Sequence, residues 1–340
     1  MNMMKGVISS IVLILCFSCA PPPPYHEAAL GTVCTVNLYG KGSRSVYNEI
    51  FSRFREIEER MSINKDGTEI DAINAGAGIA PVQVSEDVFA VIEKSLYYAE
   101  ISNGAFDPSI GVLVKHWGIG SDSARVPAQE EIDAVLPLIN YRKVALDPEK
   151  RTVFLSQSGM MLDLGGIAKG YAADEAVKII EKHKIQAALI DLGGNIFVYG
   201  ARSGKRNWRV GVQDPRGERD QSLGIVAIEG SATCVTSGVY ERFLEIDGKR
   251  YHHILSTRDG YPVNNGLLSV TIIATTSMDA DALSTALFAL GYEKGRALAE
   301  SLSASHGVEA LFVFEDKTIR GTAGMLDRFT LTGAEYAIEY

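Results

Sequence analysis

Between residues 152 and 180 the chain reads strand, glycine turn, helix. Thr152 to Leu155 are β-formers, and Ala168, Ala172, Ala176, Ile179 and Ile180 recur at helical spacing. The turn between them is Met161-Leu162-Asp163-Leu164-Gly165-Gly166-Ile167-Ala168-Lys169-Gly170-Tyr171. Glycine lets a backbone approach a ligand with no Cβ in the way. A helix start adds unpaired N–H groups and a positive dipole end, which suit a phosphate. Asp163 stands where it could accept hydrogen bonds from a base or ribose. A Gly-Gly pair here is equally often a tight connection and nothing more. The stretch is not a P-loop, because Gly170 follows Lys169 where Ser or Thr is needed, and it is not G-x-G-x-x-G.

The chain is acidic, with a formal net charge of −9 over 340 residues, which argues against a nucleic-acid partner. Without a broad cationic surface, a phosphorylated ligand must be held by glycine loops, helix ends or a metal. Of four cysteines, Cys16 and Cys19 lie in the leader, while Cys34 and Cys234 read as small buried thiols.

The leader has Lys5, then an apolar run over residues 7–17, then Ser18-Cys19 and four prolines at 21–24. A small residue before a cysteine at this place resembles a bacterial lipobox, with Cys16 at the position where Leu is usual. The expectation is a lipoprotein signal peptide over 1–19, lipidation of Cys19, and an extended Pro-rich tether over 20–28. An ordinary secretory signal is the alternative. The body, 29–340, has no internal linker that splits it.

Within the body, residues 30–39 alternate as a first strand, and residues 45–61 form a helix with Val46, Ile50, Phe54, Ile57 and Met61 on one face. Arg53, Arg55, Glu56, Glu58, Glu59 and Arg60 read as its solvated side. A further helix runs from Ser85 to about residue 102. Asp107 precedes Pro108, which keeps it out of a helix interior; it either points into a cleft or closes an Asx-Pro turn. A hairpin forms around residues 147–150. Residues 187–191 form a buried strand before a second turn, Gly193-Gly194. From Trp208 onward, short alternating strands follow one another. Residues 268–276 form a strongly apolar strand, and a capped helix runs from Ser277 to Gly291.

That late helix carries Asp281 and Thr285, four apart on one face. A carboxylate and a hydroxyl, completed by backbone carbonyls and phosphate oxygens, is a common way to hold Mg²⁺. On spacing alone, Asp281 is more often a complement to the helix dipole, which is also the reading of Asp279. His252 and His253 are adjacent, so only one can face a cleft from a strand. A cleft-facing histidine would be the general base or proton shuttle.

Seven runs in order resemble the ApbE-type flavin transferases. They are Leu30-Gly31-Thr32; Gly104-Ala105-Phe106-Asp107-Pro108; residues 163–170; Asp191-Leu192-Gly193-Gly194; Thr236-Ser237-Gly238 with Tyr240-Glu241-Arg242; residues 251–254; and residues 280–286. The resemblance implies an α+β fold of largely antiparallel sheets with flanking helices and a cleft between two lobes. It implies Mg²⁺-dependent transfer of FMN from FAD onto a threonine of a target protein, releasing AMP. Leu30, Asn64, Gly104, Ala105, Phe106, Asp107, Asp163, Lys169 and the backbone around Leu255 would line the FAD site. Asp281, Thr285 and the carbonyl of Gly166 would ligate Mg²⁺. His253, and not His252, aligns with the family's histidine, and His253 and Asp281 would be the catalytic pair. The acceptor would be a membrane-associated redox protein, and the location periplasmic, anchored by lipid to a bacterial membrane, taken as the inner one.

Two departures stand out. Asn64 replaces an aromatic beside the flavin, which implies weaker FAD retention and opens the way to hydrolysis of FAD to FMN and AMP at the same site. Ser256-Thr257-Arg258-Asp259-Gly260 replaces the family's Asp-Pro-Arg-Thr-Gly, so the first Asp's role is lost or moved. A flavin-binding lipoprotein without turnover, and an adhesin or structural lipoprotein, are the other classes the sequence admits.

Overall fold

The computed structural model describes residues 24–40, 42–201, 206–218 and 221–340. Cys19, the expected signal peptide and the first part of the tether lie outside the described residues.

Among the described residues, a nine-stranded sheet organises the chain. Its strands are Tyr25–Ala29, Thr32–Tyr39, Ala187–Leu192, Asn195–Gly200, Ala232–Gly238, Leu267–Ala274, Glu309–Phe314, Thr318–Gly321 and Ala337–Ile338. Their order across the sheet is their order along the chain. Every neighbouring pair is antiparallel except the last, which is parallel.

The middle of this sheet is covered on both faces. Val270, Ile272 and Ala274 pack with the helices Arg44–Met61, Glu86–Ile101, Ala168–Lys182 and Ser277–Leu290. On the other face Cys234, Ile273, Leu311 and Val313 meet the smaller sheet of Trp208–Gln213, Ser222–Ile228 and Phe329–Leu331. Successive strand residues point to opposite faces, so a strand buried on both reads as an unbroken apolar run. That explains the pattern around 268–276. A third small core gathers Leu113, Trp117, Ile132 and Leu255 around the helices Gly111–Trp117 and Gln129–Val135. The fold is α+β with antiparallel sheets dominant, as expected.

Three sequence expectations change. The tether stops short of residue 28, because Tyr25–Ala29 pairs in register with Thr32–Val36. Tyr25 anchors this strand against the Arg44–Met61 helix, its ring centroid 5.5 Å from that of Tyr47 and 5.1 Å from that of Phe51. Consequently Leu30-Gly31 is a hairpin turn and not strand, with φ of 54° and 67°. The supposedly solvated arginines are partly engaged. Arg53 pairs with both Asp87 and Glu175 at 2.8 Å, tying three helices together. Strands Asn195–Gly200, Val82–Gln83 and Ala337–Ile338 were not anticipated.

The Ala168–Lys182 and Ser277–Leu290 helices cross in direct backbone contact. A Cβ on Gly170 would fall 2.3 Å from the carbonyl oxygen of Ser277 and 2.6 Å from the Cα of Met278. Only glycine permits that approach, and it brings the glycine turn beside the start of the late helix.

Candidate active site

The turn ahead of the Ala168–Lys182 helix is fixed at several points. Leu162 N–H donates to Asn74 Oδ1 (2.6 Å) and Asp163 N–H to the carbonyl of Pro108 (2.8 Å). Asp163 Oδ1 accepts from Gly165 N–H at 2.7 Å, so the carboxylate folds the turn it precedes. Burial pushes the Asp163 carboxyl above its usual range. Gly166 is the meeting point. A Cβ there would lie 3.1 Å from Phe106 Cε2 and 3.6 Å from Thr285 Oγ1. The helix start itself is not free for an anion at every amide. Ala168 N–H donates to the carbonyl of Leu164 at 2.9 Å, and Gly170 N–H to Asp281 Oδ2 at 2.8 Å.

Asp281 is 4% exposed. Its other oxygen accepts from Lys169 Nζ at 3.3 Å. Thr285 Oγ1 lies 3.4 Å from Ser237 Oγ, which also bonds Ser284 Oγ at 2.8 Å. Asp279 points elsewhere and pairs with Lys94 at 2.8 Å, in keeping with its reading as a dipole complement. Thr285 Oγ1 faces Gly166, and Asp281 lies one turn earlier on the same helix against Gly170, so a hydroxyl and a carboxylate oxygen stand beside the glycine turn. Such a hard, all-oxygen set suits Mg²⁺ and leaves positions for ligand oxygens. Among the described residues there is no cluster of three or more His, Cys, Asp or Glu to hold a metal.

The two histidines divide as expected. His252 is buried against Phe288, and its Nε2–H donates to the carbonyl of Val263 at 2.9 Å while Nδ1 accepts from Ile254 N–H. Both ring nitrogens are occupied. His253 lines the cleft, and its Nδ1 donates to the carbonyl of Arg242 at 3.2 Å. A carbonyl only accepts, so the proton sits on Nδ1 and Nε2 carries the lone pair. Burial, with Arg242 nearby, lowers His253 to about 4. It is a neutral base at neutral pH.

One cleft of about 580 Å³ is lined by Leu30, Asn64, Ala105, Phe106, Asp107, Asp163, Gly166, Lys169, His253, Leu255, Asp281 and Thr285. These come from loops and helices far apart in sequence. Gly104 is not among them. Its carbonyl accepts from Thr257 Oγ1 at 2.7 Å, and its φ of 76° ends the preceding helix against the ring of Tyr141. Asp107 borders the cleft, but its carboxylate is engaged inside the protein. Oδ1 accepts from Ser109 N–H (2.8 Å) and Oγ (2.6 Å), and Oδ2 from Tyr141 N–H (2.9 Å). The turn-closing alternative describes Asp107, so it shapes the cleft wall and offers no free carboxylate to a ligand. Asn64 Oδ1 accepts from Lys115 Nζ at 3.4 Å.

Ser256 keeps a turn-forming role. Its hydroxyl accepts from Arg258 N–H at 3.3 Å and Asp259 N–H at 3.4 Å, bonds a carboxylate there could also take. Trp117 Nε1–H clamps this turn through the carbonyl of Gly260 at 2.8 Å. Cys34 and Cys234 are both free and buried, as expected, and burial pushes each thiol up to about 12.

Glu58, Arg242 and Ser237 are among the cleft residues that sequence reasoning missed. Glu58, assigned to a solvated helix face, accepts from Gly31 N–H at 3.3 Å and pairs with Lys65 at 3.1 Å. Arg242 Nη2–H donates to the Gly31 carbonyl at 3.3 Å, so both sides of that turn are held. Ser237 joins Thr285. The last two stand in the runs quoted above and could have been proposed; Glu58 had no such signal.

The sequence profile described as the ApbE family matches residues 30–312. The FAD:protein FMN transferase of Treponema pallidum is 41% identical over 330 residues, covering 92% of this chain and 90% of that protein. One from Klebsiella pneumoniae is 37% identical, covering 92% and 96%. Among solved structures, the ApbE protein of Thermotoga maritima superposes with a TM-score of 0.82 at 33% identity, covering 90% of this chain and 98% of that one. The Pseudomonas stutzeri flavinyl transferase ApbE, in its apo form, gives 0.78 at 26% identity, covering 90% and 96%. The glycine turn, the late-helix acid and the cleft histidine thus sit in a chain matched almost end to end, and this chain belongs to the ApbE family.

Proposed function

We propose that this protein transfers FMN from FAD onto a threonine hydroxyl of a protein acceptor, with release of AMP. One observation carries the reading. The Gly166, Asp281 and Thr285 junction opens into the same cleft as a histidine whose Nε2 is unprotonated. The names of the relatives agree with it.

In the reaction the threonine oxygen attacks the FMN phosphorus, and the bond from that phosphorus to the bridging oxygen breaks. AMP leaves with that oxygen. The threonine proton passes to His253 Nε2, which burial keeps neutral and able to receive it. Mg²⁺, when bound by Asp281, Thr285 and the Gly166 carbonyl, supplies charge neutralisation at the diphosphate. Lys169, beside Asp281, adds a positive group at the same place. Phe106 and Leu255 give the cleft an apolar wall for the ring system.

Asn64 favours a second outcome at the same site. An amide cannot stack on a flavin as an aromatic does, so substrate is held less firmly and water can take the threonine's place, giving FMN and AMP. The leader's Ser18-Cys19 supports lipidation at Cys19 and a periplasmic, membrane-anchored location. From there the acceptor would be a membrane-associated redox protein.

Incubation with FAD and Mg²⁺, with and without a threonine-bearing acceptor, tests this. AMP together with an FMN mass increment on the acceptor supports transfer. AMP with no increment supports hydrolysis. No AMP in either case leaves a flavin-binding protein without turnover. Mass spectrometry of the mature N-terminus tests the anchor, which an unmodified Cys19 would exclude.

A further inference from the structure

Asp174 lies on the Ala168–Lys182 helix, and its carboxylate reaches the start of the Ser277–Leu290 helix. Oδ1 accepts from Ser277 N–H at 2.7 Å and Oδ2 from Met278 N–H at 2.9 Å. These amides belong to the first turn, whose donors have no partner within their own helix. The hydroxyl of the helix's own cap, Thr276, accepts from Asp279 N–H at 3.4 Å. The neighbouring helix therefore supplies the closer cap.

One turn away the relation is reversed. Asp281, on the second helix, accepts from Gly170 N–H on the first at 2.8 Å. Gly170 precedes Asp174 by one helical turn, and Ser277 precedes Asp281 by one. Each helix thus offers a carboxylate to the backbone amides of the other, and the close crossing at Gly170 lies between the two contacts. Such a reciprocal clasp leaves little freedom to slide or rotate one helix on the other. Both helices lead into the cleft, since Gly166 precedes the first and Thr285 stands on the second. Burial pushes Asp174 up to about 6, as does the nearby charge of Asp279, so this carboxylate is held against an electrostatic cost.

We infer that Asp174 is a positioning residue: by capping the Ser277–Leu290 helix from the neighbouring helix, it fixes Asp281 and Thr285 against Gly166 and so sets the geometry available to a divalent cation. It does not line the cleft. The inference rests on the proposed function only for its metal assay; the helix register it describes is independent of that reading.

The test uses the whole mature chain with Asp174→Ala, which removes both acceptors, and Asp174→Asn, which keeps the volume and one acceptor oxygen and serves where the alanine chain does not fold. Two quantities are read. One is amide hydrogen exchange at Gly170, referred to the strand Leu267–Ala274. The other is the Mg²⁺ concentration at half-maximal FAD binding, followed by flavin fluorescence. Removing a partner that orients a metal ligand typically costs about 10–100-fold in metal affinity. We expect about tenfold faster exchange at Gly170, an unchanged strand, and about tenfold more Mg²⁺ at half-saturation. Faster exchange at Gly170 supports the inference even if FAD binding in the parent protein ignores Mg²⁺, a result that would count instead against the proposed function. Unchanged exchange at Gly170 in a folded variant overturns the inference, because the clasp would then not depend on Asp174.

Discussion

His253 follows the strand Lys249–His252 and donates its Nδ1–H to the backbone carbonyl of Arg242, the residue just before the paired strand Phe243–Ile246. The bond selects one tautomer and leaves Nε2 for the cleft. Since burial holds His253 near 4, below its ordinary 6.5, the base stays unprotonated across the neutral range. We expect the acid limb of kcat/KM for AMP release to lie near pH 4. A limb centred near 6.5 would show that the imidazole titrates as a solvated one.

The same shift has a sign in stability. Between pH 6.5 and about 4 the unfolded chain binds a proton at His253 and the native chain does not. This contribution is therefore full above 6.5 and is lost as pH falls toward 4. His252 is lowered by burial too and acts in the same direction. Urea midpoints of the parent and His253→Gln, compared from pH 7 to 4, are expected to show the parent losing stability relative to the variant.

Asp281→Ala removes the late-helix carboxylate that meets the glycine turn at Gly170. AMP release is expected to fall by about 10²–10³-fold, the range seen when a single group stabilising transition-state charge is deleted, and its residual rate should no longer respond to Mg²⁺. Full activity would exclude Asp281 as a metal ligand.

Gly170→Ala reverses a familiar expectation. In a helix interior alanine is favoured over glycine by about 1 kcal/mol. Here the added methyl meets the Ser277 carbonyl at 2.3 Å. We expect a net loss of about 1–3 kcal/mol in chemical denaturation, the usual cost of overpacking, together with weaker Mg²⁺ dependence.

Asn64→Tyr should tighten FAD binding. Aromatic stacking is worth about 0.5–1.5 kcal/mol beyond burial, or roughly 2- to 12-fold in Kd. Equilibrium titration of flavin fluorescence reads it directly. An unchanged Kd would mean that residue 64 does not meet the flavin, and the hydrolytic outcome would lose its support.

What the sequence could reveal depended on how local each signal was. The glycine turn, the Asp281 and Thr285 spacing and the apolar run around 268–276 are each written within a dozen residues, and each lies where its pattern placed it. Asp107 was ambiguous because its deciding partner, Tyr141 N–H, is 34 residues away. Glu58 sits on a face that looks solvated until the Leu30-Gly31 turn folds over it. Asp174 gave no signal at all, since an aspartate inside a helical stretch has no local reason to matter; its partners come 103 and 104 residues later. Tyr25–Ala29 was hidden by the prolines before it.

The central sheet lays down its strands across space in the sequence they occupy along the chain. A polypeptide emerging N-terminus first can therefore extend this sheet at one edge without waiting for a later strand to slip in between. Residues 166 and 170 emerge more than a hundred positions ahead of Asp281 and Thr285. A nascent chain thus displays the glycine turn long before the acid that completes it. Completion of the cleft is deferred until synthesis has passed the sixth strand and its following helix.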